Sequence, residues 1–182
     1  MSELRWAERL PPDAPGAVAA RGHTPLMLAA AAGDLPRIHA LLADRAAAAG
    51  QLAAHDRAGW LPLLHAAAHG HTAALQALAA AGAPLDARGR RDGVTALMLA
   101  ARAGAAEACG WLLARAPALR DALSWEVRPR TAAVMAAHGG DVATLEVLRG
   151  GLAHADGATL AHAAAASGRL PALQFCLTHA PQ

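Results

Sequence analysis

Thr24-Pro25-Leu26-Met27-Leu28-Ala29-Ala30-Ala31-Ala32-Gly33 is the first of five versions of one phrase. The second reads Leu61-Pro62-Leu63-Leu64-His65-Ala66-Ala67-Ala68-His69-Gly70, and Thr95–Gly104, Thr131–Gly140 and a worn copy at Thr159–Gly168 follow. Starts at 24, 61, 95, 131 and 159 lie 37, 34, 36 and 28 residues apart. A period of roughly 33 residues belongs to chains whose repeats are supersecondary units stacked on their neighbours, not parts of one closed globule.

Each phrase reads as a short helix followed by a second one. Thr24 is placed to accept from an early backbone N–H, and Pro25 at the first helical position gives up no needed donor. Gly33 suits the left-handed helix end, and Asp34 caps the next helix. Ile38, Leu41 and Leu42 then recur at the spacing of one buried face. Leu75 and Leu78, Cys109, Leu112 and Leu113, Leu145 and Leu148, and Leu173, Cys176 and Leu177 repeat that stripe. No unit buries its apolar face alone, so neighbours supply the partner surface.

Composition agrees. The 182 residues make about five such units with short ends. Apolar residues reach 55% but aromatics only 3%, and much of the apolar share is alanine. Small residues suit helices in close contact better than one bulky core. The sixteen basic residues are all arginine, and lysine, asparagine and tyrosine are missing, a usage that points to a GC-rich bacterial genome. A net charge of +2 does not by itself imply nucleic acid. Two cysteines are too few for a secreted disulfide scaffold. With no signal-peptide pattern and no apolar run of about 18 residues, a cytoplasmic protein without a membrane span is expected.

The repeats resemble the ankyrin family, whose pattern runs close to D-x-x-G-x-T-P-L-H-L-A-A-x-x-G-H, then a second helix, then G-A-D-V-N-A. Asp56-Arg57-Ala58-Gly59-Trp60-Leu61-Pro62-Leu63, Ala66-Ala67, Gly70-His71 and Gly82-Ala83-Pro84-Leu85-Asp86-Ala87 carry the match. The resemblance implies an all-α ankyrin repeat solenoid of about five helix-turn-helix repeats with short hairpin-like loops. The expected units are residues 20–54, 55–90, 91–127, 128–154 and 155–182, after a cap segment at 1–19 in which Trp6 covers the first repeat. Departures are visible: Leu61 cannot cap as threonine does, the connection from 117 to 130 is long, and the fourth-to-fifth connection is short.

The resemblance also implies that partners bind at the hairpin tips and the exposed side of the first helices. Carried over residue by residue, the tip positions include Arg21 and His23, Arg57 and Trp60, Arg91, Asp92 and Val94, and Arg128 and Arg130. His69, Arg102 and His138 are the corresponding helix positions. Together they predict an arginine-rich concave face, with Trp60 as its central anchor, for a protein partner that is acidic at the contact.

Other chemistry finds little support. His65, His69 and His71 are the one metal-like group by spacing, but a fourth ligand is missing and no metal is expected. Cys109 and Cys176 fall on apolar stripes, where thiols are structural. No phosphate loop, paired carboxylates or oriented nucleophile can be found, so neither an enzyme nor a cofactor is expected. The reading is a non-catalytic interaction module: an adaptor, scaffold or regulatory subunit. The alternative is a small inhibitor or immunity protein that blocks a cognate enzyme or toxin. Nucleic-acid binding lacks both a motif and lysines.

Overall fold

The caps expected from the sequence form the helices. In a computed structural model, residues 22–125, 130–149 and 157–179 are described. The cap segment with Trp6, together with Arg21 and Arg128, lies outside them, as does most of the fourth-to-fifth connection. Eleven α-helices follow in the described residues: α1 Pro25–Ala32, α2 Leu35–Leu42, α3 Arg45–Ala53, α4 Pro62–Ala68, α5 Thr72–Ala80, α6 Ala96–Arg102, α7 Ala106–Arg115, α8 Ala132–Gly139, α9 Val142–Val147, α10 Gly157–Ala166 and α11 Leu170–His179. A 3₁₀ turn, Pro117–Asp121, follows α7.

Threonine hydroxyls start three of the first helices. Thr24 Oγ1 accepts from the Met27 N–H at 3.3 Å, Thr95 from Met98 at 3.4 Å and Thr131 from Val134 at 3.4 Å. Leu61 makes no such bond, as its side chain dictates. Asp34 and Asp141 cap second helices, accepting from Arg37 at 3.0 Å and Thr144 at 2.8 Å. Helix α3 was not expected. It occupies the stretch between the first helix pair and the second turn, with Asp44 as its cap. It also supports the start of α1. Gln51 Oε1 accepts from the Leu26 N–H at 3.2 Å, satisfying a donor that the first turn of that helix leaves open.

First helices stack as one ladder, α1 on α4, α4 on α6, α6 on α8 and α8 on α10. Second helices stack as a parallel ladder, α2, α5, α7, α9 and α11. The core is a continuous slab between the ladders. Leu26, Leu63, Leu97 and Met135 come from the inner helices and Ile38, Leu75, Leu112 and Leu145 from the outer, all at most 1% exposed. Alanines such as Ala66, Ala100 and Ala136, at 0% exposure, let the inner helices approach closely.

The turns close with few bonds. Asp56 N–H donates to the Trp60 carbonyl at 3.0 Å, Gly89 to Val94 at 2.9 Å and Ser124 to Arg130 at 3.1 Å. One β-bridge, Arg88 with Thr95, occurs among the described residues. Adjacent turns are tied directly: Arg90 N–H donates to the Gly59 carbonyl at 3.0 Å.

Glycine serves the stack as well as the turn. Gly33 ends α1 at φ 68°, a left-handed conformation that disfavours other residues. Its bare backbone is also where the next repeat rests. A Cβ at Gly33 would lie 2.8 Å from His71 Nδ1. That ring is bonded to the preceding repeat as well, with Nε2 3.1 Å from the Ala31 carbonyl oxygen. The same seat recurs under Ala105 at Gly70, under Asp141 at Gly104 and under Arg169 at Gly140.

Candidate partner-binding face

The positions preceding each phrase form a column across the repeats: His23, Trp60, Val94 and Arg130. Its first members point inward. Trp60 is 9% exposed and Val94 only 1%. This corrects the expectation that Trp60 anchors a partner at the centre of an open groove and removes Val94 from the surface. The Trp60 Nε1–H donates to Asp92 Oδ2 at 2.9 Å, and its ring meets His65 edge-on at 5.5 Å between centroids. Asp92 is thereby committed to the fold. Its Oδ1 also accepts from the Val94 N–H at 3.2 Å. His23 packs edge-on against His65 at 5.2 Å, with Nε2 3.3 Å from Asp56 Oδ2.

The remaining positions do stand at the surface. Arg57 and Arg91 are exposed at neighbouring turn tips, and so is His69 at the end of α4. The His69 ring stacks on His71 at 6.0 Å. Burial, then the neighbouring His71 and His65, holds the His69 pKa below the usual imidazole range. Arg102, Arg130 and His138 are half-buried and gather from two adjacent repeats. Burial first, and then the two guanidiniums, push the His138 pKa down. Like charges must sit near one another for that effect.

An aromatic residue outside the family-derived set of positions lies at the same edge. Trp125 is 60% exposed and Leu123 beside it 50%. The indole rests on Gly93, whose φ of 65° and missing Cβ leave the space it occupies. Trp125 N–H donates to the Asp92 carbonyl at 2.7 Å. Arg88 holds the same segment, donating from Nη1 to the Leu123 carbonyl at 2.7 Å and to the Gly93 carbonyl at 3.0 Å. Its guanidinium lies 5.9 Å from the Trp125 ring centroid. The signal in the sequence was the pairing of Asp92-Gly93 with a long connection carrying tryptophan, but nothing local shows that the two meet.

The chemistry-bearing groups are placed as follows. His65 turns into the interior, 4% exposed, towards Asp56 rather than towards His69 and His71. Cys109 and Cys176 are free and buried. Burial, with Asp141 nearby, pushes the Cys109 thiol up to about 12, and burial raises Cys176. No helix among the described residues is long and apolar enough to cross a membrane.

Comparison with known families agrees with this architecture. The family model for ankyrin repeats (3 copies) matches residues 8–88 and, in a second placement, 26–122. The chain belongs to the ankyrin repeat family. No curated protein matches it closely enough to add a relative. Ankyrin repeats are generic protein–protein interaction modules and are typically non-catalytic, and the stacked repeats with basic turn tips are consistent with that role.

Proposed function

We propose that this ankyrin repeat protein binds a partner through the turn-tip edge and the inner helices, and that the partner is acidic where it touches. Arg57 and Arg91 supply charge at the tips, and Arg102, Arg130 and His138 supply it deeper in the face. Trp125, with Leu123, replaces Trp60 as the apolar anchor, since an exposed tryptophan flanked by arginine is the composition of an interface hot spot. The observation that carries the reading is the gathering of Arg102, Arg130 and His138 from two repeats at one half-buried face, where the two guanidiniums add to burial in lowering the imidazole pKa. A carboxylate arriving there meets positive groups drawn from two repeats, which favours it over a neutral or basic contact.

The test is capture from the native cytoplasm by the natural chain beside two folded variants. One carries Arg57→Glu, Arg91→Glu and Arg102→Glu, and the other Trp125→Ala. One protein retained at one-to-one stoichiometry by the natural chain, lost by the first variant and weakened at least tenfold by the second, is the expected result. Equal retention by all three sinks the proposal. If the retained partner is an enzyme that falls silent in the complex, the protein is an inhibitor rather than an adaptor.

A further inference from the structure

Three side chains that the partner-binding reading does not use converge between the first two repeats. His65 Nε2 lies 3.0 Å from Asp56 Oδ2, and His23 Nε2 lies 3.3 Å from the same oxygen. The three ligand-type atoms all fall within 4.8 Å of one another. The side chains are 12%, 3% and 6% exposed for His23, Asp56 and His65. They come from the segment before α1, the second turn and α4.

Asp56 is the aspartate of the repeat pattern, but nothing in that pattern asks for histidine at positions 23 and 65. The fifth position of the phrase is Leu28, Leu99, Met135 and Ala163 in the other copies, and only the second carries histidine. The residue five places before the phrase is an acid in the second and fourth copies, Asp56 and Glu126, but Ala19, Arg90 and His154 elsewhere. A leucine at position 65 would pack this alanine-rich interior without the cost of burying an imidazole.

We propose that His23, Asp56 and His65 form a site for a divalent transition-metal ion of the zinc class, clamping the first repeat to the second. Two imidazole nitrogens with one carboxylate favour zinc, cobalt or nickel over calcium and magnesium, which take oxygen ligands. Bonds of about 2.0–2.2 Å at tetrahedral angles put neighbouring donor atoms roughly 3.3–3.5 Å apart, close to the 3.0 and 3.3 Å seen here. Three protein ligands leave a fourth position for water or an incoming side chain. The carboxylate is already aimed: Asp56 Oδ1 accepts from the Trp60 N–H at 2.9 Å, which leaves Oδ2 to face the two rings. A ring that ligates through Nε2 carries its single proton on Nδ1, so loading the site changes tautomers and needs no oxidant or reductant.

The experiment uses the full chain, stripped with a chelator, and Zn²⁺ or Co²⁺ alone as the probe. One equivalent of Zn²⁺ is expected to bind in the calorimeter and to raise the melting temperature, because the assembled site holds the ion more tightly than the separate histidines and cysteines of the unfolded chain do. Co²⁺ is expected to give the intense visible absorption of four-coordination. His23→Gln, at the rim of the cluster, is expected to weaken binding at least tenfold, while His69→Ala, outside the cluster, leaves it unchanged. Should His23→Gln fail to fold, Trp60 emission decides in the natural chain, since Co²⁺ seated beside His65 quenches it and Trp60→Phe removes that part of the signal. Absence of one-to-one binding overturns the proposal and leaves a hydrogen-bonded His–Asp–His contact. So does binding that survives His23→Gln and disappears with His69→Ala.

Discussion

Trp60 Nε1–H donates to Asp92 Oδ2 at 2.9 Å, joining the second turn to the third. The bond turns a residue that would otherwise advertise itself to a partner into an internal strut. Hydrogen bonds to charged groups contribute about 1.5–3 kcal/mol. Trp60→Phe, which keeps most of the ring, is therefore expected to lower unfolding free energy by about that amount in urea titration. A folded Trp60→Phe with unchanged stability would show that the bond contributes nothing.

Leu61 offers a choice between two effects. Threonine there would restore the missing cap, a gain of about 1 kcal/mol. Leu61 is also 6% exposed, and burying a leucine contributes about 1.5–3 kcal/mol. Burial wins, so Leu61→Thr is expected to destabilise even though it brings the phrase closer to the family pattern. Denaturant midpoints of the two proteins check this.

Gly33→Ala meets two penalties, the left-handed φ of 68° and contact with the His71 ring. The expected loss exceeds about 1 kcal/mol. His71→Ala relieves the contact but not the backbone strain, so the double variant should recover part of the loss. A double-mutant cycle with no coupling would refute the seat.

The His138 pKa is lower folded than unfolded. Above the unfolded value of about 6.5 the ring is neutral in both states and exerts no penalty. As pH falls through that value towards the folded one, the unfolded chain gains the proton first and stability is lost. His138→Gln should flatten the decline in unfolding free energy between pH 7 and pH 5 relative to the natural chain. Parallel curves would deny it. An acidic partner reverses the local field, so its binding should be tighter at pH 6 than at pH 8.

Cys109 and Cys176 should resist iodoacetamide at pH 8 in the folded protein and label fully in urea, as mass spectrometry would read. Rapid labelling of the native chain at Cys109 would contradict its burial and its raised pKa.

Much of the fold is readable because its determinants are local. Thr24, Thr95 and Thr131 cap their own helices, Asp34 and Asp141 cap the next, and the stripes bury in the inner repeats, while Leu41 and Leu42 are only half-buried and Leu177 in the last helix is 62% exposed. Side-chain direction in the turns is different. Nothing near position 60 tells whether the indole faces a partner or Asp92, because Asp92 lies in the next repeat. The same holds for His65: its i, i+4 relation to His69 is visible in the sequence, whereas its contact with Asp56 and His23 needs two repeats in register. Helix α3 was missed because its alanines, Arg45 to Ala53, carry helix propensity but almost no apolar stripe, with only Ala48 and Leu52 buried.

The glycine seats have a bearing on how such a chain can be rearranged. The residue resting on each seat differs: His71, Ala105, Asp141 and Arg169. Excising the second repeat would bring Ala105 onto Gly33, with a void where the imidazole was and no donor for the Ala31 carbonyl. The units are thus keyed to their predecessors, like cars with unmatched couplings. Shuffling, deleting or duplicating them succeeds only where the seat residue travels with the glycine it was fitted to.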